Sequence, residues 1–371
     1  MRICTKSVMD DTDPDIIFDN DGVSNHYYEY FEKRKNRVFQ ENEGKNSLKG
    51  LIATIKNKGK NQDYDCLIGV SGGVDSTYVA YLTKELGLRP LAIHFDNGWN
   101  SELAVKNIEK TLKKLNIDLI TYVIDWEEFK DIQLSFLKSS TPDGEIPTDH
   151  AIFALLFRTA AKHNIKYVLN GNNFMTEGIM PACWSYGHID WKYIKSIHKK
   201  FGSKKLKTYP KLTLLNYLYY FFIRRVQIIS ILNYMKYDKE EAMSILKERL
   251  DWKYYGGKHY ESVYTRFYQG YILPKKFNID KRKAHLSALI LDGQISREEA
   301  LELLKEPIYP IELFEDDQEY VLKKLDLSRE NFNEIMDSSH KTYRAYPNSS
   351  SFHGVLRKAL NTLRRLKILY S

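Results

Sequence analysis

The chain has 371 residues, 43% of them hydrophobic and 28% charged, with a formal net charge of +8. That profile belongs to a soluble globular protein with room for two domains. It excludes a disordered or collagenous chain, and its charge suits anionic small molecules as well as nucleic acid. Three widely separated cysteines, Cys4, Cys66 and Cys183, do not make a disulfide framework, so a reducing cytoplasm is the expected setting.

In chain order, residues 1–45 predict a small separate piece. Its opening, MRICTKSVMDDTDPD, carries acids where a secretory signal would need an apolar core, so none is expected. ENEGKNS, residues 41–47, predicts a polar linker. From residue 63 to about 171, strand-like apolar runs (CLIGV, PLAIHF, DLITYVI, KYVLNG) alternate with helical patterns. That alternation predicts an α/β domain over residues 46–200, a parallel sheet covered by helices on both faces. Ligands of such sheets bind beyond the carboxyl ends of the strands. Residues 201–371 predict a mostly helical region, with capping boxes at Asp238/Glu241 and Ser296/Glu299. LTLLNYLYYFFI, residues 212–223, is too short to span a bilayer and ends at Arg224 and Arg225. It predicts a core or interface helix, with a membrane-surface role as the alternative.

After the first strand comes GVSGGVDS, residues 69–76. Glycine-freed amides and the following helix N-terminus make a nest for an anion. A Walker loop would need Gly at Val74 and Lys at Asp75, and that lysine steadies transfer of a γ phosphate. Its absence argues against γ transfer. An aspartate beside polyphosphate needs a divalent cation between them, so Asp75 is the candidate Mg²⁺ partner, directly or through water. SGGVDS resembles the signature of the PP-loop ATP pyrophosphatases, which implies an adenine nucleotide alpha hydrolase-like sheet and transfer of AMP with release of pyrophosphate. The candidate ATP-binding residues are Val70, Ser71, Gly72, Gly73, Val74, Asp75 and Ser76, with Ser71 and Asp75 as candidate catalytic groups.

The resemblance implies that His94 and Phe95, in HFDNGWNSE, contact adenine or ribose, and that Asp96 lies near the reaction centre. An ordinary hydrogen-bonded strand-end histidine has the same spacing. In NGNNFMTEG, residues 170–178, Gly171 and Asn172 could approach ATP, while Asn173 and Glu177 offer polar groups at the sheet edge; an Asn-rich turn reads alike. Thr148, Asp149 and Arg158 flank or lie on the preceding helix. Arg158, a cation in IFALLFRTAA, calls for an anionic partner, either phosphate or carboxylate.

Residues 181–202 gather Trp184, Tyr186, Asp190, Trp191 and Tyr193, rings and polar groups that suit a sugar face or a core. Residues 252–300 are dense in Lys, Arg and His, which suits an anionic substrate or a solvated basic face. SGGVDS, GNNFMTEG, IHKKFG and YGGKHYES…TRFYQ…LPKKF…DKRKAHLS together, in order, resemble the N-acetyl sugar amidotransferases of O-antigen and flagellin-glycan biosynthesis. The resemblance runs to about residue 300. It implies conversion of an acetamido group on a sugar to an acetamidino group, with ATP and Mg²⁺ as cofactors. Ammonia would come from a glutamine amidotransferase subunit, with a cyclase-type subunit beside it, both resembling those of imidazole glycerol phosphate synthase. By motif position Lys258 and Arg266 become catalytic candidates, and His259, Glu261, Lys275 and Arg282 substrate-binding candidates beside Asn173, Glu177, Trp184, Tyr186 and Asp190.

The family's N-terminus often carries two CxxC pairs for zinc, whereas here the stretches are CTKS, residues 4–7, and SNHY, residues 24–27. Hydroxyls do not replace thiolates as zinc ligands, so no structural zinc is expected. Ile16, Phe18, Tyr27, Tyr28 and Tyr30 would then supply the packing. The tail HGVLRKALNTLRRLKILYS, residues 353–371, predicts a basic amphipathic helix that could dock on the body, a partner, anionic lipid or RNA. Two alternatives to the sugar enzyme stay open: a tRNA nucleobase-modifying enzyme of the same loop type, for which nucleic acid is the less favoured partner, and a non-catalytic ATP sensor.

Overall fold

The computed structural model describes residues 2–39, 41–257 and 260–351. Lys258, His259 and the tail at 353–371 lie outside the described residues. The first helices are α1 (Asn25–Arg34) and α2 (Glu41–Gly59). Contrary to expectation, residues 41–47 are the first turns of α2, not a linker. Leu48, Leu51, Ile52 and Ile55 recur at helical spacing and pack into one core cluster, and that burial draws the polar turns before them into the helix. Gly44 is needed there, because a Cβ would stand 2.7 Å from the Tyr234 carbonyl.

The sheet follows as β1 (Cys66–Gly69), α3 (Val74–Glu85), β2 (Pro90–Asp96), α4 (Glu102–Leu115), β3 (Asp118–Val123), α5 (Trp126–Ser139), α6 (Ile146–Lys162) and β4 (Tyr167–Asn170). Then come α7 (Phe174–Glu177), α8 (Trp191–Phe201), α9 (Leu214–Leu218), which runs into a π-helical turn at Tyr219–Ile223, and β5 (Gln227–Ser230). All pairings are parallel, in the order β3-β2-β1-β4-β5. β1 is central, with Cys66, Leu67 and Ile68 fully buried. Helices cover both faces, as expected: Val79, Ala80, Ile108 and Leu112 on one, Leu155, Leu156 and Ala160 on the other. The fifth strand was not expected, since QIIS is too short to show a period of its own.

The rest is helical: α10 (Lys239–Leu250), α11 (Val263–Phe267) with a π-helical turn at Tyr268–Ile272, α12 (Leu273–Phe277), α13 (Arg282–Asp292), α14 (Arg297–Leu303), α15 (Ile311–Lys324) and α16 (Arg329–Asp337). Asp238 caps α10 by accepting the Glu241 N–H at 2.9 Å, and Ser296 with Glu299 forms a reciprocal box on α14. The N-terminal piece packs on α13 and α14 instead of standing apart. Arg297 donates to the Cys4 and Ser7 carbonyls, the Val8 N–H donates to Ser287 Oγ at 3.1 Å, and Lys283 pairs with Asp10. Tyr30 lies against Phe174 with ring centroids 4.8 Å apart, while Tyr28 is exposed.

Cys4, Ser7 and Ser24 are all buried, and the Ser24 N–H donates to Cys4 Sγ at 3.2 Å. Burial alone would raise the Cys4 thiol, but hydrogen bonds from Ser24 and Ser7 leave it below its ordinary value. A hydrogen-bonded cluster thus joins the two stretches that resemble zinc knuckles. Among the described residues no three His, Cys, Asp or Glu side chains are arranged to hold a metal.

Candidate active site

At the carboxyl end of β1 the chain turns through Ser71, Gly72 and Gly73 into α3. Gly72 takes φ +82°, and a Cβ there would meet the Ala104 carbonyl at 2.6 Å, so both conformation and space require glycine. The loop amides converge. The Ser71 N–H reaches Ser76 Oγ at 3.2 Å, the Gly73 N–H reaches Ser71 Oγ at 3.3 Å, and the Val74 N–H reaches the Tyr255 hydroxyl at 3.2 Å. Three backbone donors and two serine hydroxyls at a helix N-terminus make an anion cradle.

The structure lays residues 252–257 and 260–263 over this cradle. Trp252 Nε1 donates to the Gly72 carbonyl at 3.1 Å, and the Ser101 N–H donates to the Glu261 carbonyl at 2.8 Å. A bridge joins Asn100 to Ser262. Glu261 Oε1 and the Tyr255 hydroxyl lie 3.2 and 3.3 Å from where a Gly73 Cβ would be. Burial first, then the Glu261 and Asp75 charges, pushes the Tyr255 hydroxyl far above the usual phenol value. Two carboxylates therefore flank the cradle. Asp75 is held in turn by the hydroxyl of Tyr237, a buried residue just before α10. Tyr237 and Tyr255 escaped sequence reasoning. Tyr255 sits inside a stretch already singled out, but nothing local marks Tyr237.

A second group gathers at the same sheet edge. Lys281 approaches Glu145 at 3.8 Å, and Gln269 donates to Glu145 at 2.6 Å. Burial alone would lower the Lys281 ammonium, but Asp143, Glu145 and Asp149 leave it raised. Asp149 is exposed to solvent, yet protein encloses it closely. That enclosure, followed by the charges of Asp143 and Glu145, pushes its carboxyl up to about 8, with Glu177 adding to the effect. The folded chain therefore holds a proton that the unfolded chain has released between about pH 4 and about pH 8. Stability falls as pH rises through that window. Asp149→Asn should remove this slope and be the more stable form at pH 9, by about 1 kcal/mol because the exposed carboxyl is partly screened. Chemical denaturation at pH 5 and pH 9 checks it, and an unchanged slope would count against the raised carboxyl.

The other sequence candidates divide. His94 is buried, with Nδ1 2.8 Å from the Val70 carbonyl and Nε2 3.1 Å from Asn100 Nδ2, so it ties β2 to the loop. Phe95 packs on Tyr122 and Phe129, and Asp96 accepts the Gly98 N–H at 2.9 Å. Gly171 allows a close approach, but to α3: a Cβ would stand 2.8 Å from the Asp75 carbonyl carbon. Asn172 is exposed just past β4, and Asn173 caps α7 by accepting the Thr176 N–H at 2.9 Å.

Further from the cradle, Trp184 is core, while Tyr186 donates to Asp190 at 2.7 Å and stacks on Tyr343. Asp190 caps α8, and Trp184, Tyr186 and Asp143 line one shallow crevice. Arg266, expected to be catalytic, is bound in two places to Asp317 at 2.6 and 2.7 Å, across α11 and α15. Arg282 binds Asp280 and carbonyls at the end of α14. Lys275 is exposed. Arg158 pairs with no carboxylate among the described residues and reaches solvent near Tyr122 and Tyr220.

Residues 261–361 match the family model "LPS biosynthesis protein WbpG-like, C-terminal domain". The chain is 31% identical over 141 residues to tRNA-specific 2-thiouridylase MnmA 2 of Fusobacterium nucleatum, covering 36% of this chain and 38% of that protein. It is 36% identical over 70 residues to tRNA(Ile)-lysidine synthase of Chlamydia pneumoniae, covering 18% and 22% respectively. The chain thus spans well under half the length of either relative. Among solved structures, NH3-dependent NAD synthetase from Campylobacter jejuni is similar with a TM-score of 0.30 and 17% identity, over 55% of this chain and 83% of that one. A predicted subunit of tRNA methyltransferase from Methanocaldococcus jannaschii gives the same score and identity over 49% and 74%.

Proposed function

We propose that this chain is a cytoplasmic ATP-dependent amidotransferase that converts an acetamido group of a sugar to an acetamidino group through an adenylated intermediate. The observation that carries this reading is the SGGVDS cradle flanked by Asp75 and Glu261 and covered by Trp252 and Tyr255. The WbpG-like match supports a sugar-related substrate for surface polysaccharide. The sugar is proposed to be nucleotide-linked.

Mg²⁺ takes hard oxygen ligands and is commonly held by one or two carboxylates together with substrate phosphates, a set that Asp75 and Glu261 fit. Bound there, it would offset the charge of departing pyrophosphate. The loop amides, with Ser71 and Ser76 turned to donate, would hold the two outer phosphates and leave the α phosphorus open. The acetamido oxygen attacks that phosphorus as the bond to pyrophosphate breaks. Ammonia then adds to the carbon, and the C–O bond breaks with AMP as leaving group. When the donor is ammonium, one proton must leave to solvent before the nitrogen can attack. Asn172 and Glu177 stand at the edge where the sugar would enter. Ammonia is proposed to come from a partner glutaminase with a cyclase-type subunit.

Nucleotide-linked and free diacetamido sugars, supplied with ATP and an ammonium salt, test the reading. AMP and pyrophosphate should appear in equal amounts and only when both sugar and ammonium are present. ADP with orthophosphate would sink it, and no turnover with any sugar would favour an ATP sensor. A tRNA substrate is the second reading, favoured by the two tRNA-modifying relatives, and pyrophosphate release dependent on tRNA would establish it.

A further inference from the structure

Residues 191–237 contain eleven lysines and arginines and not one aspartate or glutamate. In the middle of that stretch stand α9 and its π-helical turn, LLNYLYYFFI, and neither contains a buried residue. Tyr217 and Tyr220 turn inward onto Phe157, with centroids 5.7 and 5.8 Å away. The opposite side faces solvent: Leu215 is 78% exposed and Ile223 70%, with Leu214, Tyr219 and Phe222 exposed beside them. A single solvated leucine is ordinary, but five large apolar side chains in ten residues are not.

Cations surround this face. The Lys166 ammonium is drawn below its usual value by burial, then by Arg224, Arg225 and Lys58, which crowd it, and Arg158 lies near Tyr220. Among the described residues none of these five cations forms an ion pair with a carboxylate. The Lys166 ammonium donates to the Arg224 carbonyl at 3.0 Å, and the Arg224 guanidinium binds the Ala161 carbonyl at the end of α6. The patch therefore runs along α6, from the Leu212 N–H on His150 near its start to Arg224 at its end, and its arginines lie at the amino edge of the sheet. No described helix is long and apolar enough to cross a membrane.

We propose that this face seats on an anionic phospholipid surface. Leu215, Phe222 and Ile223 enter the boundary of the acyl chains, Tyr219 lies at headgroup depth, and Lys58, Arg224 and Arg225 meet lipid phosphates. A second copy of the chain would press like charges together, which disfavours self-association through the same patch. A bilayer supplies both things the face lacks, diffuse negative charge and an apolar interior.

Co-sedimentation of the full chain at physiological salt tests this, comparing phosphatidylcholine vesicles with vesicles containing about one-third phosphatidylglycerol. Binding is expected on the anionic vesicles and should fall with added salt. Leu215→Glu with Ile223→Glu should weaken it at least about tenfold, since each loses apolar burial and adds repulsion. Phe222→Ser should weaken it less and leave the salt dependence unchanged. Arg225→Asn, which tolerates the left-handed φ of +55° at that position, should reduce the salt dependence. All four side chains face solvent, so thermal melts should match the parent chain. No binding to anionic vesicles, or equal binding by the double Glu variant, would overturn the proposal. So would a shift in oligomeric state or a loss of tRNA binding as the variants' main effect.

Discussion

Asp75→Asn should lower sugar-dependent pyrophosphate release by about a hundredfold to a thousandfold while leaving the chain folded. The effect is large because the carboxylate stands at the first turn of α3, beside the cradle, where charge develops as pyrophosphate departs. Asparagine keeps the shape and one acceptor for the Tyr237 hydroxyl, so the scaffold survives. It loses the negative charge that a divalent cation requires. Calorimetry should show weaker binding of Mg²⁺ with ATP, and the melting temperature without nucleotide should stay within a few degrees. Tyr237→Phe should act in the same direction at about a tenth of the parent rate, since a hydrogen bond to a charged group contributes roughly 1.5–3 kcal/mol. Full activity in Asp75→Asn would remove the carboxylate from the mechanism.

Asp317→Ala should destabilise the chain by about 3–5 kcal/mol, because it strands the Arg266 guanidinium, whose side chain is only 15% exposed, without its bidentate partner. In a protein of this size the melting temperature should drop by roughly 10 °C. Arg266→Met should also destabilise, because Asp317 stays buried with the Tyr309 hydroxyl but no cation. The double variant Arg266→Met with Asp317→Leu should recover much of that stability, and its turnover per folded molecule should approach the parent value. A phosphate-binding arginine behaves otherwise: Arg266→Met would then lose turnover at intact stability, and the second substitution would restore nothing.

Much of the architecture is legible from residue patterns alone. CLIGV, PLAIHF and DLITYVI read as strands because buried parallel strands need unbroken apolar runs. The Asp238 and Ser296 caps are visible because each serves amides two or three residues ahead. The glycine loop is equally local, since Gly72 answers a backbone angle. Misreadings arise where a distant contact overrides a local preference. Residues 41–47 look like a linker until Leu48 to Ile55 are seen packed beneath the sheet. By motif position Arg266 looks catalytic and Arg282 substrate-binding, and neither stretch of sequence shows that Asp317 and Asp280 stand beside them.

Glycine, proline and capping residues, together with hydrophobic periodicity, act over a few positions, so the order of residues is enough to establish a parallel sheet with a phosphate cradle. Which group meets which across the molecule is another matter. Tyr237 finds Asp75 across 162 positions, and Trp252 finds the Gly72 carbonyl across 180. Lys281, on the approach to α13, meets carboxylates from α6 and the loop before it. Such meetings depend on which elements become neighbours when the core closes, an outcome of the summed burial of the whole chain that no short stretch of it encodes.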